Sequence, residues 1–314
     1  MQTNIQTDRV RDRTTDRTTD RVRDGQALDI ARRPTADPLF RLVAYALESA
    51  HDRHPATVWS APHAFHLGSP RLVAAAGWPV AAAAAPRDDG LVRLSSLAHP
   101  AQSCELPLTG PPPPHPDWAA RTYALLRTMA RAGYGRGGID LHIHSTLTTA
   151  VGLSSAEPLE CAVALAVADL HSGGARPRPP RGRLAALAEA AAPDGDEALR
   201  SAVLFARPGR ALLLGDSRPR RIRFDPAEHG ARLMLLVTRG GTEDTGRAVD
   251  SARRAGATAS WWPGLQPGRS ALVLLPQARL TDVRTAVAEE FRSRGRPVPR
   301  LLNITVAGAA RHED

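Results

Sequence analysis

The feature that most constrains the fold is an apolar run in the middle of the chain, PLECAVALAVADLH, from Pro158 to His171. Its side chains are apolar almost all round a helix, so the run predicts a helix that is buried on most of its surface. The run IDLHIHSTL lies just before it and alternates like a strand that ends at Thr148. These two segments together predict a layered protein in which helices cover a sheet.

Periodicity predicts the same architecture along the rest of the chain. An amphipathic helix begins near Pro38, and residues 56–96 form short strand-like runs, one of them the alanine-rich PVAAAAA. A proline-rich linker precedes a helix over residues 117–132, and a second linker covers residues 172–183. Further elements are predicted in this order: helix LAALAEAAA, strands RALLLG and ARLMLLV, strand ALVLLP, helix LTDVRTAVAEEFRSRG and strand LLNITVAG.

The first 34 residues differ from the rest because they repeat a Thr-Asp-Arg theme and contain almost no apolar side chain. Such a segment cannot bury a core, so we expect residues 1–34 to form a disordered tail. Between Thr7 and Asp24 its six arginines face five aspartates. The tail is therefore nearly neutral, which favours a solvated segment over a nucleic-acid arm.

Composition excludes several kinds of chemistry. The net charge of +9 comes from arginine, because the chain contains no lysine. A Walker-type lysine and a Schiff base are thus excluded, so nucleotide chemistry must use backbone groups and arginine. The two cysteines, Cys104 and Cys161, are far apart, which makes a disulfide framework or a zinc site implausible. No apolar run approaches the roughly 18 residues of a membrane span, and we expect a cytoplasmic protein.

The turn between the predicted strand and the apolar helix carries the clearest chemical signal. Gly152 permits an unusual backbone angle, and Ser154 and Ser155 supply hydroxyl groups at the helix start. Backbone N–H groups at a helix N-terminus can bind a phosphate. The same residues also fit a simple N-cap, so both interpretations stay open at this point.

The segment Gly152-Leu153-Ser154-Ser155, followed by Leu159-Glu160-Cys161, resembles the second motif of the GHMP kinases in the form found in galactokinases. The resemblance implies an α+β fold with two domains: an S5-domain-2-like domain over residues 35–200 and a shortened, ferredoxin-like domain over 201–314. It implies ATP and magnesium as cofactors, a monosaccharide such as galactose as partner, and a phosphate loop. The residues implied for that loop are Gly152, Leu153, Ser154 and Ser155, with weaker remnants of a later glycine cluster at Gly264 and Gly268.

Other family positions carry residues that do not fit phosphoryl transfer. Ala64 stands where the resemblance places an arginine, Leu199 stands where it places the catalytic aspartate, and no sugar-binding segment follows Gly68. An apolar side chain at position 199 cannot accept a proton from a sugar hydroxyl. Asp196 and Glu197 are near, but we expect them to project from different faces of a helix. Glu157 places a carboxylate at the helix start, where it competes with phosphate for the N–H groups.

Two histidine pairs invite a metal interpretation. His63 and His66 lie in an apolar strand-to-loop passage, and His142 and His144 share one face of a strand. Neither pair has a recognisable third ligand, so we favour structural histidines over a metal site.

Three functions follow from these patterns. The first is a galactokinase-like protein that is catalytically impaired and acts as a sensor or scaffold, or is a decaying paralogue. The second is an active sugar or small-molecule kinase with an altered substrate. The third is a basic protein that binds a polyanion through the arginine-rich stretches at 176–183 and 218–223. Neither stretch contains interleaved aromatic residues, which disfavours nucleic acid.

Overall fold

The computed structural model describes residues 30–172, 177–215 and 219–312. These residues form seven α-helices and twelve strands arranged in two sheets. The helices are α1 (Pro38–His51), α2 (Asp117–Arg131), α3 (Ala156–Leu170), α4 (Arg181–Ala191), α5 (Glu197–Phe205), α6 (Thr242–Arg254) and α7 (Leu280–Arg292). The strands are β1 (Thr57–Ser69), β2 (Leu72–Pro86), β3 (Leu91–Ser96), β4 (Cys104–Pro107), β5 (Gly138–Ser145), β6 (Arg210–Leu213), β7 (Arg220–Arg223), β8 (Ala231–Val237), β9 (Ala259–Trp261), β10 (Ser270–Pro276), β11 (Arg300–Ile304) and β12 (Arg311–His312).

The first sheet has eight strands, and six of them lie in the order β12-β1-β2-β5-β3-β4. The strand β6 pairs with the first residues of β2, and β7 pairs with β6. Pairing is antiparallel except between β3 and β5, which run parallel. The strands β2 and β3 are consecutive in the chain, but β5 lies between them. The turn at residues 87–90 therefore does not close a hairpin between neighbouring strands.

Helices cover both faces of this sheet, which explains the alanine run in β2. Ala82 and Ala84 face the core that the sheet forms with α2, α3, α4 and α5. Ala81, Ala83 and Ala85 face the opposite way and pack against α1. Alanine has a low intrinsic preference for strands, but here it is fully buried on both faces, where a small side chain lets two layers approach.

The second sheet has four antiparallel strands in the order β11-β8-β10-β9. The helices α6 and α7 cover one face, where Val283, Val287 and Phe291 pack on Met234 and Leu236. The other face packs against the first sheet. The shared core there contains Phe65, Leu153, Leu235, Leu272 and Ile304, together with small residues of β2. Leu153, a residue of the loop expected from the sequence to bind phosphate, thus lies at the junction of the two sheets.

The long periodic segments were predicted correctly. The helix near Pro38, the sheet after residue 56, the helix at 117 and the buried helix α3 are all present. Of the predicted tail, residues 1–29 lie outside the described residues. Residues 30–34 correct the prediction, because Ile30–Arg32 form a 3-10 turn and Ile30 is 2% exposed in the core beneath α1. The strand β5 ends at Ser145, three residues before the predicted end.

The division of the chain into domains at residue 200 stays a prediction. Residues after that position contribute to both sheets, because β6, β7 and β12 complete the first sheet while β8 to β11 form the second. Among the described residues, no helix combines the length and the apolar character needed to cross a membrane.

Candidate phosphate-loop site

The loop between β5 and α3 contains a 3-10 turn at Thr149–Val151, followed by Gly152. Gly152 has a φ of 79°, in the left-handed region that a side chain disfavours. A Cβ at this position would collide with the Ser270 hydroxyl and lie 3.3 Å from the Ser270 Cβ at the start of β10. Two constraints therefore require glycine here: the backbone angle and the close approach of the second sheet.

The first turn of α3 is occupied by the chain's own carboxylate. Glu157 is 5% exposed, and its Oε2 accepts a hydrogen bond from the Ser154 hydroxyl. Its Oε1 accepts one from the backbone N–H of Asp196, at 3.1 Å. The Ser154 Oγ also accepts from the Ala156 N–H, at 3.3 Å. The loop serine and a helix-start N–H are thus engaged within the protein, as expected from a carboxylate in a first helical turn.

Two buried histidines of β1 bind the groups around this loop. His63 is fully buried, and its Nδ1 lies 2.9 Å from the Ser154 carbonyl oxygen. Burial lowers the pKa of His63. The Nε2 of His66 lies 2.8 Å from the Asp196 Oδ2. Through these contacts the two histidines hold the loop and the start of α5 in place.

Asp196 is the N-cap of α5, since its Oδ1 accepts a hydrogen bond from the Leu199 N–H at 3.0 Å. Its side chain is 21% exposed. Burial alone would raise the pKa of Asp196, but hydrogen bonds from His66 and from the Leu199 N–H outweigh it and hold that pKa below its ordinary value. Sequence reasoning placed Asp196 within a helix and missed its contact with the loop. An aspartate directly before a helical run is an N-cap signal, so this position was recognisable.

Ala64 and Leu199 stand where the resemblance implies residues that take part in phosphoryl transfer, and both are buried in the core. Ala64 is 2% exposed and Leu199 is 6% exposed, and both belong to the core under the first sheet. Arg200, next to Leu199, is 1% exposed and bonds to Glu160 with an Nε–Oε2 distance of 3.0 Å. It also contacts Glu189. This segment of α5 therefore stabilises the fold.

The glycine-cluster remnants lie in the loop between β9 and β10. This loop covers the end of β1, because the His66 N–H donates to the Pro263 carbonyl at 2.8 Å and Gly68 lies beside Trp261. Gly264 and Gly268 have ordinary backbone angles, and a Cβ on either would meet nothing within 4 Å. The structure therefore shows no steric need for glycine at these two positions.

The other histidine pair lies on the opposite side of the first sheet. The hydroxyl of Ser95 joins two histidines, with 2.8 Å to the His142 Nδ1 and 2.9 Å to the His51 Nε2. Desolvation and the neighbouring His51 and His144 lower the pKa of His142 to about 4. Within the described ranges, no group of three or more metal-ligating side chains is found. His142 is thus packed with a serine and with His51.

The arginine-rich stretches at 176–183 and 218–223 differ in how many of their side chains already bond within the protein. Arg178 pairs with Asp169 and lies over the Trp59 ring, and Arg181 donates to the carbonyls of Leu204 and Ala310. In the second stretch, Arg220 and Arg221 of β7 are exposed. Residue 176 and residue 218 lie outside the described residues. The first stretch therefore serves the fold through at least two of its arginines.

Comparison with known proteins finds similarity to galactokinases over half of the chain. No protein-family model matches the chain. A segment of 169 residues is 36% identical to the galactokinase of Streptomyces coelicolor and covers 50% of this chain and 42% of that protein. The galactokinase of Streptomyces lividans is 33% identical over 169 residues, which cover 50% of this chain and 41% of the relative. The matched part thus spans less than half the length of these curated relatives.

Solved structures extend the similarity of fold. The galactokinase of Lactococcus lactis, solved with galactose, superimposes with a TM-score of 0.71 at 14% identity, covering 86% of this chain and 99% of that one. The mevalonate kinase of Methanococcus jannaschii gives a TM-score of 0.55 at 10% identity, covering 80% and 98%. The architecture is therefore the GHMP-kinase fold. Over the matched half of the chain, the sequence is similar to galactokinases, as its loop motif predicts.

Proposed function

We propose that this chain is a non-catalytic galactokinase-like protein that acts as a sensor or scaffold. The observation that carries the proposal is the position of Glu157 at the start of α3. Both of its carboxylate oxygens are bonded within the protein, to the Ser154 hydroxyl and to the Asp196 N–H. A phosphate group that uses the Ser154 hydroxyl would have to displace this carboxylate, and at the same helix start the two negative charges repel each other.

Two further positions support the loss of phosphoryl transfer. A galactokinase-type reaction needs a group that accepts the proton of the sugar hydroxyl and cationic groups that stabilise the transferred phosphate. The corresponding positions by resemblance hold Leu199 and Ala64, and both side chains are apolar and buried. The two defects are independent, because one lies on α5 and the other on β1.

ATP with magnesium and a monosaccharide such as galactose are the ligands that the resemblance offers. The described residues fit them poorly at the phosphate end, because the first turn of α3 is filled by Glu157. Ser155, the N-cap of α3, forms no side-chain capping hydrogen bond in the described structure. We therefore derive no transfer step through ATP and expect nucleotide affinity to be weak.

One observation favours an active kinase with an altered substrate as the alternative. Asp196 lies beside the loop, paired with His66 at 2.8 Å. A carboxylate there is a conceivable substitute for the missing base. Its two oxygens are already engaged and its pKa is held low, so it accepts a proton poorly. These contacts weigh against the alternative.

The deciding experiment measures ADP release from Mg-ATP with galactose and a panel of other monosaccharides. The galactokinase of Streptomyces coelicolor serves as the positive control. We expect no release above the background without acceptor for any sugar. Galactose phosphorylation at a rate near that of the control would overturn the proposal. Activity on another sugar that Asp196→Asn abolishes would establish the alternative instead.

A further inference from the structure

A cavity of about 430 Å³ lies between the start of the phosphate loop and one end of the second sheet. Thr148 and Val151 form the loop side, Val237 is the last residue of β8, and Leu302 lies in the middle of β11. Its size is that of a small-molecule site. Its lining does not include Ser154, Ser155 or Glu157.

Three arginines line this cavity: Arg239, Arg269 and Arg300, which we call the arginine row. The sheet brings them together, because Val237 of β8 pairs in register with Ser270 of β10 on one side and with Arg300 of β11 on the other. Arg300 itself belongs to this row. Arg269 precedes Ser270 by one residue, and Arg239 follows Val237 by two. In-register Cα atoms in an antiparallel sheet are about 4.5–5.5 Å apart, so the row concentrates positive charge at one end of the sheet.

The protein does not neutralise this charge within the described part of the chain. No residue lining the cavity is acidic. The two acidic residues that follow Arg239 already have partners, since Glu243 pairs with Arg247 at 2.6 Å and Asp244 pairs with Arg296. No described side chain forms an ion pair or hydrogen bond with the three guanidinium groups. Crowded like charges repel, and a bound anion relieves that repulsion.

The remaining walls indicate what kind of anion fits. Val151, Val237, Val298 and Leu302 provide an apolar surface beside the guanidinium groups. The Thr238 hydroxyl is engaged with Thr245 at 2.9 Å and with the Arg269 carbonyl at 3.1 Å. Among the polar side chains of the lining, the three arginines and the Thr148 hydroxyl are left for recognition, and only the arginines carry charge. Guanidinium groups bind phosphate oxygens in a bidentate manner, and the apolar surface suits a planar or hydrocarbon body.

We propose that the arginine row binds a phosphorylated small molecule, with its phosphate on the guanidinium groups and its body on the apolar wall. This inference goes beyond the proposed function, because it concerns a different set of residues and needs no phosphoryl transfer. A protein that releases no ADP from any sugar can still bind this ligand, so the two experiments fail independently.

The test is calorimetric titration at 150 mM NaCl with inorganic pyrophosphate, with AMP and with adenosine. Salt at this concentration screens diffuse attraction to a basic surface. We expect wild-type protein to bind pyrophosphate and AMP, and to bind adenosine at least about tenfold more weakly than AMP. Each of Arg239→Gln, Arg269→Gln and Arg300→Gln should weaken AMP binding by about tenfold.

The matched control removes the same number of charges elsewhere. Arg41, Arg220 and Arg221 are exposed and lie outside the cavity. The triple variant Arg41→Gln, Arg220→Gln, Arg221→Gln should bind AMP within about threefold of wild type, whereas the triple variant of the arginine row should lose binding. Far-ultraviolet circular dichroism and urea unfolding check that both triple variants are folded. Absence of phosphate binding by folded wild-type protein, or equal losses in the two triple variants, would overturn the proposal.

Discussion

At the scale of single residues, the side chains of the candidate phosphate loop and of the first turn of α3 already bond to other groups of the protein. Glu157 satisfies the Ser154 hydroxyl and connects α3 to the backbone of Asp196. The Nδ1 of His63 lies 2.9 Å from the Ser154 carbonyl oxygen. These contacts hold the loop without a ligand, and one of them engages the Ser154 hydroxyl, a group of the proposed phosphate site. If the loop binds phosphate as proposed, the same contact that holds the loop lowers its phosphate affinity.

We predict that Glu157→Gln increases the affinity for Mg-ATP. The amide can still accept from the Asp196 N–H, but the negative charge at the helix start is gone. Charge effects at a helix terminus are about 0.3–2 kcal/mol, so the gain should be between twofold and about 30-fold. Equilibrium binding of a fluorescent ATP analogue measures it. The control is Glu197→Gln, an exposed residue in the first turn of α5, and equal gains in both variants would contradict the prediction.

Gly152 provides a second prediction at this scale. Gly152→Ala should destabilise the protein through its φ of 79° and through contact with Ser270. Gly230 has a φ of 63°, and a Cβ there would meet nothing within 4 Å. Gly230→Ala therefore measures the cost of the backbone angle alone. In urea unfolding, we expect Gly152→Ala to lose about 1–2 kcal/mol more unfolding free energy than Gly230→Ala. Equal losses would show that the close approach of Ser270 to position 152 costs nothing.

At the scale of elements, β5 carries histidines on a face that is covered by α1. His142 is 3% exposed, and its Nε2 has no hydrogen-bond partner in the described part of the chain. Its pKa lies near 4, because burial and two neighbouring histidines disfavour a positive charge. The strand therefore packs best when its histidines are neutral.

This burial predicts a loss of stability in mild acid. The unfolded chain binds a proton at His142 near pH 6.5, whereas the folded chain does so only near pH 4, so stability falls as the pH drops through that window. Between pH 7 and pH 5 the contribution of His142 is about 2 kcal/mol. Urea unfolding at pH 7 and pH 5 should show that the free energy of unfolding falls less in His142→Gln than in wild type. The exposed His229 is the control, and a fall as large in His142→Gln as in His229→Gln would contradict the prediction.

Sequence periodicity predicted most of the long elements and the short strand β6, but it missed the 13-residue helix α6 and four short strands. The helix α3 and the strand β8 were predicted because their side-chain pattern persists over 15 and 7 residues. The strands β4, β7, β9 and β12 have two to four residues, too few to show an alternation. In the site, the position of Glu157 in the first turn of α3 was predictable because it depends on a local helix start, and its competition with phosphate stays a prediction. The pair of His66 and Asp196 was not, because 130 positions separate the two residues.

At the scale of the whole molecule, β12 connects the end of the described chain to the first sheet. Trp59 pairs in register with His312, and Ser60 pairs with Arg311. Arg311 also forms an ion pair with Asp37 at 2.9 Å. The chain thus returns to the first sheet after the second sheet is complete.

We predict that a chain ending at Ala307 loses at least about 2 kcal/mol of unfolding free energy. The truncation removes the buried Ala310, whose N–H donates to the Val203 carbonyl at 2.9 Å, together with the pairing of β12. Thermal and urea unfolding report the change. A chain ending at His312 keeps these contacts and should match the full-length protein. A chain ending at Ala307 with unchanged stability would show that β12 contributes little.

The position of β12 also has a consequence for synthesis. Thr57 of β1 and His312 of β12 are 255 positions apart. At about 5–20 residues per second, β1 leaves the ribosome on the order of 10–50 s before its outer partner exists. During that interval the open edge of β1 can pair with a strand of another nascent chain. The yield of folded protein should therefore depend on how densely ribosomes occupy the message.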